Sequence, residues 1–183
     1  NFTKQILKTA LENMPADLNS LLALKLDGRS IADQIAEQTG IIGEKLELSF
    51  YGKLEAEDAI AYIHPGNKLA TIVGFNKPAD MQVKKDVAMQ VAAMDPISID
   101  KNDVPESVIA HELEIGKEKA REEGKPENML EKIAQGRLNK FFQESTLMNQ
   151  AFIKEAKQTV KAYIQSNDKD LTVTGFVRYT LND

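Results

Sequence analysis

The chain has 183 residues, of which 42% are hydrophobic and 28% are charged, a balance that is typical of globular proteins. Its formal net charge of −5 argues against a broad nucleic-acid-binding surface, so we expect no direct contact with nucleic acid. It contains no cysteine, which excludes disulfides and cysteine-ligated zinc, and no apolar run approaches the roughly 18 residues that a membrane span needs.

Three helices are predicted at the start of the chain. Apolar residues recur at helical spacing over residues 2–14, and leucines over 18–22 predict a short second helix. Ser30, followed by Asp33 three residues later, predicts the N-cap of a third helix, which we expect to end at Gly40.

The period then changes to that of β-strands. Apolar and polar residues alternate over residues 45–53, which predicts a half-buried strand. Two more strands are predicted over 59–64 and 68–75. Because the residues between them, His64-Pro65-Gly66-Asn67, favour a turn, these two strands should form an antiparallel hairpin.

Two long helices are predicted to fold back on each other after a helix over residues 83–94. Asp103 is predicted to cap the first of the pair, which runs to about Glu123, and the second runs from Pro126 to about Ser145. The link at Gly124 is so short that the two helices must be antiparallel.

Apolar stripes on the two long helices can form a seam between them. The stripes consist of Val108, Ile109, Leu113 and Ile115 on the first helix, and Leu130, Ile133, Ala134 and Leu138 on the second. Seven of the ten residues 114–123 are charged, which predicts that the far end of this hairpin projects into water or onto a partner. A shorter helix over 157–165 and a strand over 171–181 complete the chain.

The sequence offers no recognisable catalytic residues. His64 lies at the mouth of the predicted turn, and His111 with Glu114 supplies only half of a metal site. No serine occurs in a nucleophile motif, and no glycine belongs to a phosphate-binding loop. We therefore expect no enzyme activity, no metal and no cofactor, and an interaction protein is the better interpretation.

An ordered set of short motifs resembles elongation factor Ts. The motifs are Ile41-Ile42-Gly43-Glu44, Tyr62-Ile63-His64, residues 86–94 (DVAMQVAAM), Asp103-Val104-Pro105, Glu123-Gly124-Lys125-Pro126, residues 131–141 (EKIAQGRLNKF) and residues 173–178 (VTGFVR). They occur in the family's order over essentially the complete chain.

The resemblance implies an α+β fold in which helices pack on small three-stranded antiparallel sheets, with an inserted antiparallel helical hairpin of coiled-coil type. It implies that residues 1–56 are the remainder of an N-terminal core subdomain. Residues 57–97 and 146–183 would form a C-terminal core subdomain, and residues 98–145 the inserted hairpin.

The resemblance also implies a function in protein biosynthesis. The family consists of translation elongation factors that act in the cytoplasm as guanine-nucleotide exchange factors for the GTPase elongation factor Tu. Ile42 and Gly43, and His64 and Gly66 in the turn, match family positions that contact this partner. Pro65 departs from the family, which often has glycine there, and it should stiffen the turn that presents His64.

The family's Thr-Asp-Phe-Val segment, whose Asp-Phe pair acts near the magnesium of the GTPase, does not occur in this chain. We therefore expect impaired exchange. The family's N-terminal helical domain and the first two strands of its first sheet are also missing, so the strand over 45–53 should lack its family neighbours and pair with another edge. This edge would belong to the same molecule or to a second copy, and a homodimer could form through this strand or through the hairpin.

Two other function classes remain open from the sequence. One is a helical-hairpin scaffold that self-associates and never contacts a GTPase. The other is a small metal-dependent enzyme that uses His64 or His111.

Overall fold

The computed structural model describes residues 2–181, and the chain divides into two units, residues 1–53 and 54–183. The first unit is mainly helical, whereas the second combines a three-stranded sheet with helices and a long helical hairpin. The α+β class and the small antiparallel sheet that the sequence predicts are therefore confirmed.

The first unit consists of three helices and a very small hairpin of strands. In chain order these are α1 (Phe2–Asn13), α2 (Leu18–Ala23), β1 (Lys25–Leu26), β2 (Arg29–Ser30) and α3 (Ile31–Ile42). Its core is a cluster of four buried side chains, Ile6, Ala10, Leu21 and Ile31. The three predicted helices are present, and the strands β1 and β2 were not predicted.

Helix α3 begins as predicted and ends later than predicted. The hydroxyl oxygen of Ser30 accepts a hydrogen bond from the backbone N–H of Asp33 at 3.0 Å, as an N-cap should. The predicted end at Gly40 is wrong, because the helix continues to Ile42. Gly43 takes the left-handed conformation with φ 77° and donates its N–H to the carbonyl of Thr39 at 2.9 Å.

The strand predicted over residues 45–53 is wrong, because within residues 2–181 this segment belongs to none of the sheets. Alternating polarity specifies which side chains share a face, but a strand also requires a neighbour whose backbone completes its ladder. The N–H of Leu46 instead bonds to the hydroxyl of Thr39, and the hydroxyl of Tyr51 donates to the carbonyl of Pro15. A homodimer through this segment stays a prediction, because the structure contains a single copy of the chain.

The second unit is built on an antiparallel sheet covered by a helix. Its elements are β3 (Asp58–Ile63), β4 (Leu69–Phe75), α4 (Met81–Met94), α5 (Glu106–Glu122), α6 (Leu130–Ser145), β5 (Ala151–Phe152), β6 (Glu155–Thr159), α7 (Val160–Asn167) and β7 (Val173–Thr180). The sheet has the order β3-β4-β7, so the predicted hairpin of strands and the predicted last strand are confirmed.

Helix α4 is fixed on this sheet by apolar packing and by two polar contacts. Val87 and Val91 are fully buried in the core between helix and sheet. The buried hydroxyl of Thr71 on β4 donates to the carbonyl of Ala88 at 3.1 Å. Lys84 donates to both carboxylate oxygens of Asp58 at 2.8–2.9 Å, and its ammonium holds the pKa of that carboxyl below its usual range.

Helices α5 and α6 form the predicted antiparallel hairpin, with Gly124 in the left-handed conformation at the turn (φ 73°). Small residues allow them to approach closely, since a Cβ on Gly116 would lie 3.1 Å from the Cα of Ala134. Ala120, Ala134 and Leu138 are also buried. The two helices therefore lie closer together than the predicted row of large apolar side chains would allow.

Two predicted helix boundaries are wrong. Asp103 does not cap α5 but ends a short 3-10 helix, where it forms a capping box with Asp100, and Pro105 directly precedes α5. The helix predicted over 157–165 begins only at Val160, because residues 155–159 form strand β6. The second hairpin helix begins with a 3-10 turn over Glu127–Met129.

The chain enters and leaves the helical hairpin through one hydrogen-bonded root. The N–H of Ile97 donates to the carbonyl of Ser145 at 2.9 Å, and the N–H of Leu147 donates to the carbonyl of Ser98 at 3.0 Å. A third bond joins Met148 to Ile99 at 2.9 Å. The two ends of the hairpin are therefore held together by the backbone itself.

Within residues 2–181, none of the helices combines the length and the apolar character that crossing a bilayer requires.

Candidate functional site

His64 opens the tight turn between β3 and β4. The N–H of Asn67 donates to the carbonyl of His64 at 3.0 Å, with Pro65 and Gly66 between them. Gly66 has φ 95°, and proline followed by a positive-φ glycine is the arrangement of a type II turn. The N–H of His64 also donates to the carbonyl of Leu69 at 2.9 Å, so the backbone on both sides of the imidazole is fixed.

The His64 ring is paired with a tyrosine two residues earlier, near the end of β3. The hydroxyl of Tyr62 lies 3.0 Å from Nδ1 of His64, and the ring centroids are 6.0 Å apart at an angle of 63°. Side chains at positions i and i+2 of a strand lie on one face of the sheet, which explains why these two meet. The exposed histidine is therefore oriented by a side chain of the strand that precedes it.

His64 and Tyr62 border an open hollow of about 200 Å³ with mostly apolar walls. Its lining residues are Tyr62, His64, Leu69, Met89, Ala92, Ala93 and Ile153. A small apolar hollow beside one polar ring can accept an apolar side chain of a protein partner and offer it a single directed hydrogen bond.

Ile153 lies in the loop between β5 and β6, and a buried amide positions this loop. Gln90 is fully buried on α4, and its side-chain oxygen accepts the N–H of Ile153 at 2.9 Å. Its amide nitrogen donates to the side-chain oxygen of Gln150 and to the carbonyl of Ala151, each at 3.1 Å. Ile153 is 40% exposed although its backbone is held from below.

A charged network fixes Lys154, the residue after Ile153. The ammonium of Lys154 lies 2.7 Å from the buried carboxylate of Asp86, which also accepts the hydroxyl of Tyr163 at 2.8 Å. Burial acts to raise the pKa of Asp86, but the hydrogen bonds from Lys154, Tyr163 and Gln82 outweigh it and hold that pKa below its usual range. Burial, followed by the bond to Asp86, raises the pKa of Tyr163.

The end of helix α3 presents a second exposed surface, in the first unit. Ile41 and Ile42 are 69% and 53% exposed in the last turn of the helix. Because Gly43 ends the helix in a left-handed conformation, the chain turns away directly after Ile42. An exposed apolar pair at a helix end is a suitable contact for a protein partner.

The four predicted contact residues thus form two separate pairs. Ile42 and Gly43 are neighbours at the end of α3 in the first unit, and His64 and Gly66 share one turn in the second. Sequence reasoning missed the other walls of the hollow. Met89 and Ala93 sit one turn apart on α4, but Ile153 ends a run of only three apolar residues, 151–153, which carries no periodic signal.

The second histidine, His111, lies exposed on α5, and the nearby Glu114 forms an ion pair with Lys117 at 3.2 Å. Among residues 2–181, no group of three or more histidine, aspartate or glutamate side chains is arranged to hold a metal ion.

Comparison with known proteins gives one consistent result. The family model described as Elongation factor TS matches residues 1–183. A protein named Elongation factor Ts from Porphyromonas gingivalis is 49% identical over 98% of this chain and 66% of its own length. A protein of the same name from Azobacteroides pseudotrichonymphae is also 49% identical, over 100% of this chain and 67% of its own length.

A third relative of that name, from Flavobacterium psychrophilum, is 45% identical over 99% of this chain and 67% of its own length. The chain therefore spans about two thirds of the length of these curated relatives.

Proposed function

Because the chain belongs to the elongation factor Ts family, we propose that it binds the GTPase elongation factor Tu and promotes the exchange of GDP for GTP during translation. The observation that carries this proposal is the family match over all 183 residues. The cytoplasm, where translation occurs, is the compartment that this function requires.

Exchange of this kind is a matter of linked binding equilibria and requires no catalytic residue. A protein that binds the nucleotide-free GTPase more tightly than the loaded one must weaken nucleotide binding by the same factor. No covalent bond is made or broken by the exchange factor. The surfaces expected in this chain are therefore docking surfaces rather than an active site.

Two surfaces support docking. The turn with His64 and Gly66 offers an imidazole beside an apolar hollow, and the end of α3 offers the exposed Ile42 next to Gly43. We propose that both contact elongation factor Tu. Protein interfaces commonly combine a few apolar anchors with a small number of directed polar groups.

We further propose that the chain has three functional parts. Residues 1–56 would be the remainder of the N-terminal core subdomain, and residues 57–97 with 146–183 the C-terminal one. The division of the chain after Lys53 supports the first boundary. The hydrogen-bonded root at Ser98 and Ser145 supports residues 98–145 as an inserted hairpin.

Titration calorimetry with elongation factor Tu tests the proposal. We expect tighter binding to the nucleotide-free GTPase than to the GDP-loaded one, since only such a difference can release nucleotide. Equal affinity for both forms, or no binding to either, would contradict the function.

The chain contains no Thr-Asp-Phe-Val segment, so we expect this chain by itself to bind the GTPase but to accelerate GDP release only weakly. Stopped-flow measurement of GDP release tests this, with the full-length relative from Porphyromonas gingivalis as the comparison. Equal acceleration by the two proteins would show that the segment is dispensable.

Self-association through the helical hairpin is the second candidate. It is supported by an open groove of about 370 Å³ along α5 and α6, in which Ile115 and Phe141 lie between charged side chains. Sedimentation analysis of the purified chain decides between a monomer and a dimer. A monomer at high concentration would remove this candidate.

A further inference from the structure

We propose that Tyr62 is a positioning residue that fixes the tautomer of His64, so that the partner must present a hydrogen-bond acceptor to this ring. The proposal rests on the proposed function, in which His64 contacts elongation factor Tu. It adds a residue that the family motif does not by itself assign to docking, and it specifies the chemistry of the group that His64 recognises.

The geometry allows one hydrogen bond between the two rings. The hydroxyl oxygen of Tyr62 lies 3.0 Å from Nδ1 of His64, well within bonding distance for an O–H and a ring nitrogen. Tyr62 is itself fixed by its place in β3, where it pairs with Thr71 of the central strand. The tyrosine can therefore serve as a rigid reference for the histidine at the turn.

Chemistry decides which of the two groups donates. A neutral imidazole carries one N–H donor and one bare nitrogen acceptor, and the bare nitrogen is a stronger acceptor than a phenol oxygen. A phenol O–H is in turn a good donor to such a nitrogen. The favoured arrangement therefore has Tyr62 donating to Nδ1, which leaves the proton of His64 on Nε2.

The remaining nitrogen then defines what His64 can recognise. Among residues 2–181, Nε2 of His64 has no hydrogen-bond partner. A ring locked in this tautomer offers Nε2–H as a donor, so it matches an acceptor oxygen on the partner. A lysine or arginine of the partner placed there would set two donors against each other, which costs affinity.

The tautomer of the free chain can be measured directly. Long-range proton–nitrogen spectra of the chain with ¹⁵N-labelled histidine distinguish a protonated from a bare ring nitrogen. For the neutral ring of His64 we expect a bare Nδ1 and a protonated Nε2. Tyr62→Phe should increase the population of the tautomer with the proton on Nδ1. Tyr51→Phe, which removes a tyrosine hydroxyl in the first unit, should leave the spectrum unchanged. A protonated Nδ1 in the unaltered chain would overturn the proposal.

The same spectrum of the complex tests the partner group, since Nε2 should stay protonated when elongation factor Tu is bound. A bare Nε2 in the complex would show that the partner donates instead, and would overturn that part of the proposal.

A double-mutant cycle measures the positioning effect on binding. Tyr62→Phe should weaken binding by about three- to tenfold when His64 is present, the range of one net hydrogen bond, and should have no effect in the His64→Ala background. An equal loss in both backgrounds would show that Tyr62 acts independently of His64. If the chain does not bind the GTPase at all, the proposed function fails, while the spectrum of the free chain still decides the role of Tyr62.

Discussion

At the level of single residues, His64 is the side chain on which the proposed docking depends most directly. It is exposed at a turn whose backbone is fixed by hydrogen bonds on both sides. Replacing His64 by alanine should weaken binding to elongation factor Tu by about 1–2 kcal/mol, which is typical of a contact residue that is not the dominant anchor. Calorimetric titration measures this loss.

The other histidine of the chain, His111, supplies the matched control. It is exposed on α5, and the His111→Ala variant should bind as tightly as the unaltered chain. Unchanged affinity of the His64→Ala variant would show that this residue is not part of the interface.

Gly66 is required by backbone geometry rather than by the space around it. A Cβ there would meet nothing within 4 Å, but φ is 95°, which strains any residue with a side chain. We expect Gly66→Ala to lower the free energy of unfolding by about 1 kcal/mol in urea titrations. Gly136, which lies in α6 with equally open surroundings, should show the opposite sign and stabilise by about 0.5–1 kcal/mol as alanine.

Similar losses or similar gains for both alanine variants would contradict this account, because the two glycines differ in backbone conformation and not in free space.

At the level of elements, the helical hairpin depends on a narrow seam. Leu130 is 4% exposed there, and Leu130→Asp would place a charge among apolar groups. We expect it to destabilise the hairpin by about 3 kcal/mol, seen as a lower Tm in circular dichroism at 222 nm. Ile133→Asp should cost less, since Ile133 is only half-buried.

Lys132→Asp introduces the same side chain at an exposed position of the same helix, and should leave the Tm nearly unchanged. The same Tm for the Leu130→Asp and Lys132→Asp variants would argue against a buried position of Leu130 in the seam.

Asp86 on α4 holds the loop between β5 and β6 through Lys154 and holds α7 through Tyr163, so the stability of this region should depend on pH. The folded pKa of Asp86 is lowered, so its stabilisation is present above the unfolded pKa of about 3.9 and is lost as the pH falls through the folded value. Asp86→Asn cannot ionise. The difference in unfolding free energy between the unaltered chain and this variant should therefore be constant above about pH 5 and shrink in acid.

Urea titrations from pH 7 to pH 2 measure this difference. Glu155→Gln, at an exposed position of β6, provides the control. A difference in unfolding free energy between the unaltered chain and the Asp86→Asn variant that does not change with pH would contradict the stabilising role of the Asp86 carboxylate.

Long periodic elements were predictable from the sequence, and short ones were not. The apolar stripe of α4 predicts a helix because it repeats with a 3.6-residue period. The break at Gly124 predicts where one helix ends and the next begins because it interrupts that period. The segment 45–53 shows the limit: its alternation is real, but a sheet needs a partner strand that no local pattern reveals. Strand β6 was missed because its five residues, Glu155–Thr159, are almost all polar.

The candidate site was predictable only in part, for the same reason. The turn chemistry around Gly66 placed His64 at an exposed corner, and the contact between Tyr62 and His64 follows from their two-residue spacing at the end of β3. Ile153 comes from a loop 89 positions after His64 in the chain, and only the fold brings it to the same hollow.

At the level of the complete chain, the two units differ in how much core they possess. The first unit relies on four buried apolar side chains, Ile6, Ala10, Leu21 and Ile31, whereas the second buries a larger cluster that includes Phe75, Val87 and Ile164. Small cores stabilise weakly. The first unit should therefore unfold locally more often than the second.

Hydrogen exchange followed by mass spectrometry tests this expectation. Amides of α1 and α3 should exchange faster than those of α4 and β4. Exchange of both units at one common rate would instead indicate that they unfold together.

The backbone bonds at Ile97–Ser145 and Ser98–Leu147 have an evolutionary consequence. Because both ends of the long hairpin meet at one point, the intervening residues can be lengthened, shortened or exchanged for a short loop without displacing the sheet beneath. Pairs of helical turns added to α5 and α6 together would extend its reach by about 5.4 Å each. A hairpin of another length could therefore be carried on the same three-stranded sheet.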